Sequence, residues 1–123
     1  MSWPMLEKLA ISALNAGLKR GRAGTRLPAN VEKLDGFVRV ARGPGSDDGI
    51  TDEPLLDVEA FHADQVTAWE IAQDARDIVH SMKGRLIDGH LIDAANTASS
   101  PSWVYYGSHV ERYVASYRIE YRR

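Results

Sequence analysis

The 123-residue sequence has no cysteine. Disulfides and thiolate metal sites are therefore excluded, and the redox compartment is left unmarked. Long apolar runs are missing too: no segment approaches the ~20 residues that a bilayer-spanning helix needs. The opening stretch, MSWPMLEKLAISALNAG, lacks the charged n-region and unbroken apolar core of a secretory signal. The expectation is a chain that works in a cytosol-like medium and has no membrane partner. A formal net charge of −2 supplies no global attraction to nucleic acid or to an anionic surface. Chemistry-bearing motifs are also scarce. No Gly-Lys-Ser/Thr follows Gly43-Pro44-Gly45, so this is not a phosphate loop. Ser99, Ser100 and Ser102 lack the surround of a nucleophile elbow.

What is present is the ordinary composition of one globular domain, taken as residues 1–123. A first helix should begin near Pro4, with Leu6, Leu9, Ala10, Ala13 and Leu14 on one apolar stripe and Gly17 or Gly21 as stops. Gly21 to Asn30, rich in Gly, Arg and Pro, reads as a loop. Phe37–Arg42 reads as a strand. Gly43–Glu53 reads as a mobile loop, and Leu55–Phe61 as a second strand with Leu56, Val58 and Ala60 inward. Asp64 can cap a long helix whose apolar face takes Val66, Ala68, Ile71, Ala72, Ala75, Ile78, Val79 and Met82. Leu91–Thr97 reads as a third strand, Ala98–Ser102 as a loop, and Trp103–Tyr106 as an aromatic cluster. The clearest strand is the last, Val110–Arg122, where Tyr113, Ala115, Tyr117, Ile119 and Tyr121 alternate with polar residues. The expected fold is α+β: about four strands in a mainly antiparallel sheet, packed with two helices in the order α-β-β-α-β-β.

The best enzyme-like constellation is Asp57-x-Glu59-x-x-His62, because carboxylates with an imidazole can bind a metal or move protons. Asp57 and Glu59 share a strand face, but His62 has the opposite parity, and a metal needs three or four converging ligands. No cofactor and no metal are expected. Asp88, Gly89 and His90 read as a turn. His80 faces the C-terminal end of its helix. Charge is unevenly placed: Lys19, Arg20, Arg22 and Arg26 form a basic cluster. Asp47, Asp48, Asp52, Glu53, Asp57, Glu59 and Asp64 fall in a stretch without one Lys or Arg. Such blocks are either solvated segments or complementary surfaces between copies or partners.

The order of parts resembles the tail terminator, or tail completion, proteins of long-tailed bacteriophages. The parts are an N-terminal helix, then FVRVARGPGSDDGITDEPLLDVEAFHAD, then the Ala-rich AWEIAQDARDIVHSM, then SSPSWVYYGSHVERYVASYRIEYRR with its basic end. The resemblance spans roughly Val31 to Arg123. It implies a homohexameric ring that caps the tail tube, with the major tail tube protein on one face and a head-tail connector or stopper on the other. DNA would pass through the bore without sequence-specific binding, and no reaction would be catalysed. The chain would reside in the virion, in the tail or neck, after assembly in the host cytoplasm. Asp47, Asp48, Asp52 and Glu53 would then suit a bore wall that repels DNA. Arg20, Arg22, Arg26 and Arg122 become interface candidates. Another neck protein is the neighbouring alternative. A small cytoplasmic enzyme or ligand-binding dimer using Asp57, Glu59 and His62 is the alternative of a different class.

Overall fold

A computed structural model describes residues 3–47 and 52–121, with side chains over 6–43 and 54–121. The elements are α1 (Trp3–Gly17), β1 (Arg22–Gly24), a 3₁₀ turn (Val31–Lys33), β2 (Phe37–Asp47) and β3 (Asp52–His62). They continue with α2 (Gln65–Ser81), β4 (Leu86–Ile87), β5 (His90–Trp103) and β6 (Glu111–Tyr121). The strands form one six-stranded sheet in the order β1-β2-β3-β6-β5-β4. It curls into a half-barrel and is mixed, because β1 pairs parallel to β2 while the other neighbours are antiparallel.

This corrects the expectation of about four strands in the order α-β-β-α-β-β, and each difference has a local cause. β1 is Arg-Ala-Gly, too short to show alternation. It is held from outside: the Asn15 side chain of α1 accepts the Ala23 N–H at 2.8 Å and reaches the Ala23 carbonyl at 3.5 Å. β4 exists because Asp88 and Gly89 adopt φ of +50° and +84°, the paired left-handed conformations of a tight hairpin turn, and Ile87 is brought opposite His90. β5 runs through the serine-rich segment read as a loop. It does so with register breaks between Thr97 and Ser99 and between Ser99 and Ser102, which admit Pro101 to a strand near the sheet edge. β2 and β3 extend into the segment read as a loop, with Ser46 opposite Glu53 and Asp47 opposite Asp52.

The helices cover one face of the sheet. Leu6, Leu9, Ala10, Ala13 and Leu14 of α1 and Ala68, Ile71, Ala72, Ala75 and Val79 of α2 pack against Val38, Val40, Leu56, Val58, Ala60, Ala115, Tyr117 and Ile119. Period-two alternation on the strands and helical spacing on α1 and α2 aim these residues at one another. Val66 departs from the expected stripe and is 66% exposed on the first turn of α2. The opposite face of the sheet is polar along most of its length. At one end it carries a smaller apolar cluster of Val31, Phe37, Phe61 and Val110, with Leu27 and Leu34 against it. No helix among the described residues is long and apolar enough to cross a membrane.

Candidate functional site

Asp57 and Glu59 do share the helix-free face of β3, since Leu56, Val58 and Ala60 take the other. The sheet then uses both carboxylates internally. Glu59 lies between two guanidiniums: Arg39 Nε donates to its Oε1 at 2.6 Å and Arg112 Nη1 to its Oε2 at 3.0 Å. Register explains this, because Arg39 and Glu59 are directly opposed on β2 and β3, and Arg112 is diagonal to Glu59 on β6. The hydrogen bond to Glu59 holds the Arg39 guanidinium above its ordinary range, against the opposing effect of burial. Arg39 also lies 5.5 Å from the centre of the Phe61 ring, and Arg112 lies 5.1 Å from that of Tyr106. Asp57 accepts from Ser116 Oγ at 2.8 Å. It also sits so close to Gly43 that a Cβ there would come within 2.7 Å of its Oδ2.

His62 points elsewhere, as its parity requires. Its Nδ1 accepts the Asp64 N–H at 2.9 Å, and its Nε2 lies 3.3 Å from Asp35 Oδ1. This arrangement assigns the ring proton to Nε2, which donates to the carboxylate. Arg20 Nε lies 3.6 Å from the same Asp35 oxygen. Asp64 caps α2 by accepting from Thr67 N at 2.9 Å and Thr67 Oγ1 at 2.8 Å. Those two bonds, the backbone one first, hold its carboxyl below the ordinary carboxylate range. The constellation that invited an enzymatic reading is thus split between an ion-pair cluster on one face and a helix-entry knot on the other.

The charged interface candidates also separate. Arg22 is on β1, which lies along Phe37–Arg39 at the start of β2. Arg20 and Arg26 flank that strand and are exposed. The backbones of Asp47, Asp52 and Glu53 lie at the far end of β2 and the beginning of β3, about 30 Å away along a strand of this length. Asp48 and Arg122 lie outside the described residues.

By sequence, Trp103–Tyr106 is an aromatic cluster with no site assigned to it. In the structure Trp103, Val104, Tyr105 and Tyr106 are 45%, 42%, 64% and 44% exposed. They follow one another where the β5 ladder ends. Trp103 donates its indole N–H to Glu111 at 3.1 Å and meets the Tyr105 ring edge-on. Tyr106 packs edge-on against Phe61 at 5.2 Å. Beside Tyr106 runs an open groove of about 460 Å³, lined by Leu27, Pro28, Val31, His109 and Val110. The available signal was four large apolar side chains in a row ahead of Gly107, with no alternation to bury half of them. A second, mixed-charge cleft of about 330 Å³ lies between Lys19 and Arg20 and the Trp69–Asp77 side of α2. Asp74 spans it by accepting the Lys19 N–H at 3.0 Å. No protein-family model matches this chain, and no curated protein shows significant similarity to it.

Proposed function

We propose that this protein is a structural component of a bacteriophage tail. In this reading it is a tail terminator whose copies form a hexameric ring that caps the tail tube and joins it to the head connector, without catalysis. The observation that carries the assembly reading is the run of four exposed apolar residues at 103–106. Contiguous exposed aromatic surface of this kind marks contact with another macromolecule. The internal use of Asp57, Glu59 and His62 supports the same reading, since each is already committed to holding the fold. The specific identity rests on the sequence resemblance to terminators over roughly Val31 to Arg123. Within this proposal the basic residues Arg20, Arg22 and Arg26 are contact residues between ring and partner. Asp47, Asp48, Asp52 and Glu53, by their charge, suit the wall of the DNA path.

The test is light scattering with negative-stain imaging of the purified chain, alone and mixed with tail tubes. Six-fold rings, free or seated on tube ends, are expected. Rings of another order would move the assignment to a connector or stopper. A monomer or dimer that never engages tubes and binds a small ligand would overturn it in favour of an enzyme or binding dimer.

A further inference from the structure

The connection from β5 to β6 does not turn back directly. It crosses the helix-free face so that Tyr106 lies over the Phe61 ring near the end of β3, and Phe61 is fully buried as a result. Among the described residues, little main-chain bonding holds this crossing. Val104 N donates to Arg112 O at 3.1 Å, and the carbonyls of the next stretch are met by one side chain. Arg112 donates from Nε to Val104 O at 3.4 Å and from Nη2 to Tyr105 O at 3.2 Å, while its Nη1 donates to Glu59 at 3.0 Å. The bond to Val104 O is long for an N–H···O bond, that to Tyr105 O is at the upper end of the ordinary range, and the one to Glu59 is ordinary. The guanidinium is anchored to the sheet and grips the segment lightly.

We propose that residues 104–107 form a strap and that Glu59–Arg112 is its clasp. Closed, the strap lays Tyr106 on Phe61 and the Arg112 guanidinium on Tyr106. Released, it lifts Tyr106, uncovers Phe61, and opens the groove lined by Leu27, Pro28, Val31 and Val110 into the apolar cluster beneath. Segments with exposed side chains and few ladder bonds open locally at low free-energy cost, and here that opening is governed by a single residue. Arginine is suited to the task because its planar fork spreads donors towards Glu59 and two carbonyls at once, whereas an ammonium concentrates its three donors on one atom. The device belongs to the isolated chain and stands whether or not rings form.

Hydrogen exchange on the purified protein tests it. Arg112→Met keeps the apolar stem and removes the donors. The Val104 amide, which donates to the Arg112 carbonyl across the root of the strap, should then exchange about tenfold faster or more, while those of the β3–β6 ladder keep their protection. Arg112→Lys should behave like the methionine variant. Wild-type exchange in the lysine variant would show that charge alone suffices. Wild-type exchange in the methionine variant would show that Tyr106 packing holds the strap, and either result overturns the clasp. Should both variants unfold, Glu59→Gln decides: a smaller rise confined to the strap is expected, and unchanged exchange there overturns the proposal.

Discussion

Tyr117 is fully buried, and its hydroxyl makes no hydrogen bond to any described residue. Burial pushes its phenol up to about 12 from the ordinary 10.0, with Arg76 and Asp77 acting in opposite directions. The phenolate is the form that burial disfavours. Above pH 10 the unfolded chain gives up this proton while the folded chain keeps it, so stability falls as pH rises from 10 towards 12. The loss should approach roughly 2–3 kcal/mol. Tyr117→Phe should remove that alkaline loss and, at pH 7, leave stability unchanged or raise it by about 1 kcal/mol, because an unmet buried hydroxyl is deleted. Urea unfolding of both proteins at pH 7 and pH 11 checks both. Glu59 behaves in the opposite way. Its removal leaves Arg39 and Arg112 side by side in a half-buried setting, so Glu59→Ala should cost about 2 kcal/mol. A variant that also carries Arg39→Met should recover part of it.

At the scale of the element, legibility followed pattern length. α1, α2 and β6 could be read because each repeats its period enough times to declare a face. Asp64 was readable as a cap because a short acid before an apolar run has one good use, and Asp64→Ala should lower the melting temperature while Asp64→Asn largely restores it. β1 and β4 could not be read, since three and two residues carry no period and owe their pairing to neighbours distant in sequence. Asn15, seen only as part of a helix, turned out to be the side chain that fixes β1. The split of Asp57, Glu59 and His62 was half legible: strand parity separated the histidine, but only cross-strand register reveals that Arg39 and Arg112 flank Glu59. The tightest backbone approach is at Gly21. It has φ of +73°, and a Cβ there would lie 2.4 Å from the Gly36 carbonyl oxygen. Gly21→Ala combines left-handed strain with a backbone clash and should destabilise by about 2 kcal/mol or more. Gly84→Ala shares the positive φ but meets open space and should cost only about 1 kcal/mol. Thermal melts of the two variants side by side separate strain from collision.

For the whole molecule, the two sheet edges are blunted at opposite ends. β1 covers only Phe37–Arg39 of β2, and β4 covers only His90–Leu91 of β5. Short edge strands, bulges and Pro101 discourage indiscriminate edge pairing. Under the proposed ring assembly, contact between copies would run through side chains such as those at 103–106, and Trp103→Ser with Tyr105→Ser would then abolish rings. Both residues are substantially exposed, but Trp103 also bonds Glu111 and meets the Tyr105 ring, so the folded monomer should lose about 1–2 kcal/mol in all and still fold, which circular dichroism can confirm. The sheet order has a kinetic consequence as well. β2–β3 and β5–β6 join neighbours in sequence, whereas β3–β6 joins Leu55–His62 to Glu111–Arg118 across all of α2 and β5. Two hairpins can zip independently, but neither becomes a domain until that distant seam closes, and loop-closure entropy makes the seam the slow step. Val58→Ala, on the seam, should chiefly slow refolding and change the unfolding rate little.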